Sequence, residues 1–294
     1  MSISFTSMKA ITGNCTENAI KNKGSVYNLA VKCLESVVNN DVIYDYLLAA
    51  TSCPDSIAPS LGQCINQHFH TNFSNTSTID IVQGCAGGVS ALILGSQLSE
   101  INKCNVIVIT ADAAQKATSK TSKVYEVFKN GVFGCCISYT GETSSMLHHQ
   151  SRQFKDLYNI ISISLGHDAD DVIVNNIDDM LTDPRKHLGL KVNNEMAIRL
   201  MQKAEDFYLE FIKTTGHPDI LILHQVNVLI INHLEKVFSK YPVTFINVAA
   251  EIGNCGCATT GVVLEQIKDT IKNKKVMICS FGTGGVITAG MWQF

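Results

Sequence analysis

The feature that most constrains the fold of this chain is the alternation of short β-rich runs with longer helical or polar segments. In the first part of the sequence the β-rich runs are VIYDYLLAAT, STIDIVQG, NVIVITAD and GVFGCCISYT. A helical pattern follows STIDIVQG directly, and Pro-bounded or polar segments follow the others. Such alternation predicts parallel strands covered by helices, which is an α/β layered architecture.

The second part of the sequence repeats this pattern. NIISISLG precedes a helical segment at 196–214, DILILHQ precedes one at 227–238, and VTFINVA precedes one at 260–272, before the closing runs KVMICSFGTGG and VITAGMWQF. The sequence therefore predicts two similar βαβ-type halves, residues 1–148 and 149–294. The boundary is placed in the polar stretch ETSSMLHHQSRQ, which lacks apolar periodicity.

Composition excludes several classes of function. Hydrophobic residues make up 46% of the 294 residues and charged residues 17%, as in ordinary globular proteins. A net charge of −3 without a Lys/Arg cluster argues against nucleic acid as a partner. The first residues, MSISFTSMKAITGN, lack the pattern of a signal peptide, and no apolar run is long enough for a membrane span. The sequence predicts a cytoplasmic protein.

The positions of the cysteines also agree with a cytoplasmic protein. The eleven cysteines lie mostly in apolar segments such as FGCCISY and MICSF, where reduced thiols act as small hydrophobic residues. The only close pairs, Cys135-Cys136 and Cys255-Gly256-Cys257, lack the C-x₂-C spacing of a zinc site. We therefore expect neither structural disulfides nor a bound metal.

One cysteine stands at an unusual place. Cys85, in GCAGG at 84–88, lies between a β-rich run and a helical pattern. At the first turn of a helix, unpaired backbone N–H groups and the helix dipole favour a thiolate, so the sequence predicts a lowered pKa and a nucleophile suited to thioesters. A small buried cysteine that only fills space beside the glycines remains an alternative.

Three further junctions carry polar or glycine-rich sequences. His224 follows the run LIL and can donate a hydrogen bond or exchange a proton, although a half-buried structural histidine is the alternative. Asn254, in IGNCGCATTG, is either a plain turn residue or a hydrogen-bond donor. The turn FGTGG at 281–285 either closes a hairpin or presents N–H groups to a developing oxyanion. In open α/β sheets such strand ends gather at one edge, where chemistry takes place.

Taken together, these junctions resemble the thiolase-like condensing enzymes, most closely the β-ketoacyl-[acyl-carrier-protein] synthase III family. The motifs are GCAGG, HQVN at 224–227, GNCGCATTG at 253–261 and FGTGG, with weaker matches in SCPDSIAPSLGQCI, ITAD and VFG. The resemblance covers nearly the whole chain. It implies a thiolase-like five-layered α/β/α/β/α fold built from the two halves, and a homodimer formed across a central strand.

The resemblance also implies a mechanism. Cys85 would attack an acyl thioester and hold the acyl group, and its N–H, together with that of Gly284, would form the oxyanion hole. His224 and Asn254 would bind the thioester carbonyl of a malonyl-type extender and stabilise the enolate that remains when CO₂ departs. No cofactor is implied, because the substrate is an acyl thioester of coenzyme A or of an acyl carrier protein.

Two departures from the family bear on specificity. Ala58, just before Pro59, stands where the family often has a bulky residue that lines the acyl tunnel from the partner subunit, so a longer or aromatic acyl group is expected to fit. Val228 follows HQVN where a basic residue is usual, which predicts an altered carrier-protein surface. These departures point to specialised, polyketide-like biosynthesis. An acyltransferase without condensation and a helper subunit of a heteromeric synthase remain the alternatives.

Overall fold

The computed structural model describes residues 3–12, 26–117, 125–141, 145–159, 161–165, 188–192 and 194–294. The strands are β1 Ile3–Thr12, β2 Tyr46–Ala50, β3 Ser77–Ile81, β4 Asn105–Ala113, β5 Asn130–Tyr139, β6 Ser145–Gln153, β7 Ile161–Leu165, β8 Leu188–Val192, β9 Ile220–Leu223, β10 Thr244–Ile246, β11 Lys275–Gly282 and β12 Val286–Gln293. The helices are α1 Val26–Leu34, α2 Leu61–His68, α3 His70–Phe73, α4 Gly87–Asn102, α5 Asn194–Thr215, α6 Val228–Phe238, α7 Ala249–Ile252 and α8 Thr259–Gln266.

Ten of these strands form two sheets with the same topology. The first sheet has the order β1-β5-β4-β2-β3, and the second, read in the matching direction, has the order β6-β12-β11-β9-β10. In both, the last three strands are parallel and the first two join by antiparallel pairing. The two similar βαβ-type halves are thus confirmed.

The prediction of parallel strands needs a correction. β5 pairs antiparallel with β4, and β12 pairs antiparallel with β11. A parallel neighbour requires a long crossover, usually a helix, whereas β11 and β12 are joined by residues 283–285 alone. The N-terminal segment, for which the sequence predicts no strand, forms β1 and pairs with β5.

The helices divide into three layers around the two sheets. α4 and α8 pack between the sheets, in a core that includes Leu92, Val263 and Trp292. α1 and α2 cover the outer face of the first sheet, and α5 and α6 cover the outer face of the second. The five-layered α/β/α/β/α arrangement of the thiolase-like fold is therefore confirmed. Because α4 is apolar or small-sided nearly all round, it is suited to a fully buried central layer.

Each half places the same short turn before its central helix. Residues Gly84–Ala86 form a 3₁₀ turn before α4, and Gly256–Ala258 form one before α8. The sequence of both turns is Gly-Cys-Ala. The two turns approach each other closely, since a Cβ atom on Gly88 would lie 2.0 Å from the carbonyl oxygen of Cys257. This close approach brings the two halves together beside Cys85.

Most of the polar stretch in which the sequence places the boundary, Ser145–Gln153, forms β6. This strand lies at the edge of the second sheet, where Ser145 pairs with Gln293 and Gln153 pairs with Val286. Edge strands commonly carry polar and charged residues, which hides their strand character in a sequence. The boundary between residues 148 and 149 falls inside β6 and stays a prediction. Among the described helices, none has the length and apolar character needed to cross a bilayer.

Candidate active site

A cavity of about 50 Å³ lies where the two halves meet. Cys85, His224 and Asn254 all line it, and Phe128 and Phe281 form part of its apolar wall. A water molecule needs roughly 10–15 Å³ of such space, so this one has room for a few waters or a short group. The structure thus brings the three polar residues from separate segments of the chain into one mostly apolar space.

The loop before Cys85 is shaped by a glycine. Gly84 has a φ of +53°, and a Cβ atom there would lie 2.5 Å from the Oγ1 of Thr283. Only glycine adopts this conformation without strain while the β11–β12 turn packs so close. The Oγ of Ser280 donates a hydrogen bond of 2.9 Å to the carbonyl oxygen of Cys85. These contacts fix the backbone at Cys85, whose half-buried side chain lines the cavity.

The protonation of Cys85 differs from the sequence prediction. Burial, aided by the nearby Asp112 carboxylate, raises the pKa of the Cys85 thiol to about 12, and the residue's own backbone N–H only partly offsets this. The predicted lowering of the pKa is therefore wrong, because burial outweighs the helix terminus. The thiol is protonated at neutral pH, and a base must take its proton when a substrate arrives.

His224 follows β9 and is almost completely buried, with 2% of its surface exposed. Its backbone N–H donates to the carbonyl oxygen of Cys279 at 2.9 Å, which fixes it to the neighbouring strand β11. Burial lowers the pKa of His224 to about 4, so the imidazole is neutral at pH 7. Its Nδ1 has no hydrogen-bond partner among the described residues. A buried polar atom of this kind is costly unless a ligand satisfies it.

Asn254 is held at both ends of its amide. Its Oδ1 accepts a hydrogen bond from the backbone N–H of Gly256 at 3.0 Å, and its Nδ2 donates to the carbonyl oxygen of Val226 at 3.3 Å. Because a primary amide has two N–H hydrogens, this pattern leaves one for a ligand. The backbone of Asn254 is also fixed, since its N–H donates to Val127 and its carbonyl accepts from Lys129.

Comparisons with known proteins find sequences and structures that are similar to this chain. Residues 213–294, which contain His224, Asn254 and the β11–β12 turn, match the family model described as 3-oxoacyl-[acyl-carrier-protein] synthase III C terminal. β-Ketoacyl-[acyl-carrier-protein] synthase III of Rickettsia typhi is 22% identical over 270 residues, which cover 88% of this chain and 80% of the relative. The enzyme of the same name from Microcystis aeruginosa is 23% identical over 271 residues, covering 89% and 79%.

The chain is thus similar in sequence to enzymes named β-ketoacyl-[acyl-carrier-protein] synthase III. Solved structures agree on the fold. A 3-oxoacyl-(acyl-carrier-protein) synthase III superposes with a TM-score of 0.79 at 17% identity, covering 100% of both chains. The synthase III of Thermus thermophilus superposes with a TM-score of 0.76 at 18% identity, covering 99% of both.

The glycine-rich turn presents to the cavity a different residue from the one singled out in the sequence. Thr283 lines the cavity, whereas Gly284 does not. The carbonyl oxygen of Gly284 accepts a hydrogen bond from Gln153 Nε2 at 3.1 Å, which directs this glycine toward the end of β6. Thr283 is the residue that sequence reasoning missed, because its position depends on how the turn packs against Gly84.

The predicted tunnel residues lie elsewhere on this chain. Ala58 and Pro59 are exposed and do not line the cavity. Their predicted role requires a second subunit, and it stays a prediction. Among the described residues, no group of three His, Cys, Asp or Glu side chains is placed to hold a metal ion.

Proposed function

We propose that the chain is a ketoacyl synthase III-like acyltransferase that loads an acyl group from a thioester onto Cys85 and then condenses it with a malonyl- or β-ketoacyl-type thioester. The observation that carries this proposal is the cavity that Cys85, His224 and Asn254 share. A neutral imidazole that lines the cavity and an amide with a spare N–H can both bind one thioester oxygen. The similarity to named synthases, over 88% and 89% of this chain, supports the same reaction class.

The loading step begins with the protonated thiol. Neutral His224 takes the proton from Cys85, and the sulfur attacks the carbonyl carbon of the acyl thioester. The resulting oxyanion accepts hydrogen bonds from the backbone N–H of Cys85 and from the β11–β12 turn, where Thr283 takes the place first assigned to Gly284. The bond to the donor sulfur then breaks, and the departing thiolate of coenzyme A or of the carrier takes the proton back from His224.

The condensation step uses the two donors differently. The extender binds when His224 is in the tautomer that carries its proton on the nitrogen facing the cavity, and the thioester carbonyl oxygen accepts hydrogen bonds from His224 and Asn254. The carbon–carboxylate bond of the extender breaks, CO₂ leaves, and the electron pair forms an enolate whose oxygen both donors stabilise. The enolate carbon attacks the acyl carbonyl on Cys85, a carbon–carbon bond forms, and the cysteine leaves as a thiolate that takes a proton from solvent as the product departs. Apolar walls exclude water, which protects the acyl-cysteine from hydrolysis.

Acyl loading tests the first half of the proposal. The chain is incubated with acyl-coenzyme A and with acyl-carrier thioesters, and the tryptic peptide that contains Cys85 is examined by mass spectrometry. We expect the acyl mass on this peptide and its absence in Cys85→Ser. Cys64→Ser is the matched control, because Cys64 is also partly exposed but does not line the cavity, and it should load like the unaltered chain. If no thioester labels Cys85, a helper subunit of a heteromeric synthase becomes the better description of the chain.

We also propose a homodimer that forms along β3. This strand is the free edge of the first sheet, and Val82, which follows it, is 79% exposed. The 58–60 segment lies beside it, since Ser60 Oγ donates to Asp80 Oδ2 at 2.6 Å. Ile57, which precedes this segment, is 77% exposed. An unpaired edge with apolar neighbours favours pairing with a second copy, which would place Ala58 against the partner chain.

Light scattering tests this association. The unaltered chain should have twice the chain mass of 32.0 kDa. Ile79→Lys introduces a charge on β3 and should shift the mass toward that of one chain. Ile101→Lys changes an exposed isoleucine at the C-terminal end of α4, and it should leave the mass unchanged. A single-chain mass for the unaltered protein would contradict the homodimer.

A cytoplasmic location and polyketide-like substrates belong to the same proposal. Ten cysteines are free among the described residues, which supports a reducing compartment.

At the start of α6, Leu229 is among the exposed large hydrophobic residues. An apolar surface at this point supports a carrier protein that differs from that of fatty-acid initiation, and the loading assay with both donor types tests this preference.

A further inference from the structure

Asp112 is a fully buried carboxylate beneath the candidate active site. It lies near the end of β4, and five donors surround it. Its Oδ1 accepts hydrogen bonds from Thr51 Oγ1 at 2.9 Å, from the N–H of Ser52 at 2.7 Å and from Cys53 Sγ at 3.3 Å. Its Oδ2 accepts from Ser52 Oγ at 2.6 Å and from the N–H of Cys257 at 2.7 Å. Thr51, Ser52 and Cys53 follow β2, whereas Cys257 belongs to the second half.

These partners use both oxygens of the Asp112 carboxyl group as acceptors. Each oxygen receives one backbone N–H, from Ser52 and from Cys257, and a backbone N–H can only donate. A buried polar group of this kind is tolerated only when it is hydrogen-bonded, so this network strongly constrains the groups around it.

The network reaches Asn254 through Gly256. A Cβ atom on Gly256, whose φ is +58°, would lie 2.0 Å from Oδ2 of Asp112, so the carboxylate occupies the space that a side chain would need. The next residue, Cys257, donates its N–H to the same oxygen. Gly256 in turn donates its own N–H to Oδ1 of Asn254 at 3.0 Å. The carboxylate on the first half thus fixes the segment that orients the amide on the second half.

We propose that Asp112 is a positioning residue for the condensation step, which holds the Gly256–Cys257 segment so that the free N–H of Asn254 points at the extender thioester. This proposal rests on the proposed function. Asp112 acts only through Asn254 and has no contact with the acyl group in this scheme. Its loss should therefore affect decarboxylation of the extender more than loading of Cys85.

Asp112→Asn is the decisive variant. The amide replaces one acceptor oxygen with an NH₂ group, which must then face the N–H of Ser52 or of Cys257. We expect decarboxylation on the acylated protein to fall on the order of 10²-fold, because a displacement of about 1 Å can cost this much. Loading should fall less than about tenfold, since a positioned proton acceptor remains available to the thiol. Equal losses in both steps, or no loss in decarboxylation, would overturn the proposal.

The matched control is Thr110→Val on the same strand. Thr110 is buried, and its Oγ1 donates to the carbonyl oxygen of Phe133 at 3.4 Å, outside the Asp112 network. Valine keeps its shape, so both reaction steps should persist. If Asp112→Asn does not fold, Thr51→Val removes one neutral donor and keeps the carboxylate. It should give a smaller loss of decarboxylation with loading intact, and unchanged decarboxylation in this variant would count against the proposal.

Two readouts separate failure of this proposal from failure of the proposed function. Hydrogen exchange at the amides of Gly256 and Cys257 needs no substrate, and it should be faster in Asp112→Asn than in Thr110→Val. Alkylation of Cys85 by iodoacetamide reports the charge, because the carboxylate contributes to the raised pKa of this thiol. Its pH profile should move to lower pH in Asp112→Asn, because the variant removes this contribution. Unchanged exchange or an unchanged profile would overturn the role of Asp112 even if the unaltered chain neither loads nor condenses.

Discussion

Asn254→Ala is expected to lower the rate of extender decarboxylation by about 10²–10³-fold, the usual cost of removing one oxyanion donor. Loading of Cys85 should remain unchanged, because the oxyanion of that step is bound by the cysteine N–H and the β11–β12 turn. The measurement is the release of CO₂ from a malonyl thioester by protein that has already been acylated. This difference between the two steps distinguishes condensation from simple acyl transfer.

Alanine at this position also removes the acceptor for the N–H of Gly256. Asn254→Asp separates the two effects, since it keeps Oδ1 and replaces only the donor, and it should show the same loss. Asn66→Ala is a control for loss of a hydrogen-bonded, partly buried amide, because Asn66 Nδ2 donates to the carbonyls of Phe73 and Thr76 away from the cavity. Full decarboxylation in Asn254→Ala would leave the acyltransferase without condensation as the better description.

Gly88→Ala should have the largest effect on stability. Its Cβ atom would lie 2.0 Å from the carbonyl oxygen of Cys257, and a backbone oxygen cannot rotate away as a side chain can. α4 and the second Gly-Cys-Ala turn would have to separate, so we expect the free energy of unfolding to fall by about 3 kcal/mol, the upper end for overpacking. Urea denaturation measures this change.

Gly87→Ala is the matched control in the same helix. A Cβ atom on Gly87 would lie 3.6 Å from its nearest neighbour, the carbonyl oxygen of Ile81, which is an ordinary contact. Alanine also favours a helix over glycine by up to about 1 kcal/mol, so this variant should be as stable as the unaltered chain or slightly more stable. Equal unfolding energies for the two variants would show that the close approach of the halves is not rigid.

The segments that carry Cys85, His224 and Asn254 could be found from the sequence because local signals mark them. Each follows an apolar run, and parallel strands bring the segments beyond their ends to one edge, although the short helix α7 separates β10 from Asn254. The pKa of Cys85 could not be found in this way, since burial depends on the packing of both halves. Because their roles also depend on how both halves pack, the sequence marks Asp112 only as part of the weakly matching ITAD motif and does not mark Thr283. β6 escaped notice because its polar residues suit a sheet edge as well as a loop.

The Gly-Cys-Ala turn that precedes both central helices has a consequence for the history of the site. Matching strand orders and matching turns are what duplication of one ancestral half would produce, and the cavity lies between the two copies. The copies have since diverged in chemistry. Cys85 faces the cavity, whereas Cys257 is buried and its Sγ donates to the carbonyl oxygen of Ala50 at 3.2 Å. The same position in the two turns thus serves catalysis in one half, under the proposed function, and contact between the two halves in the other.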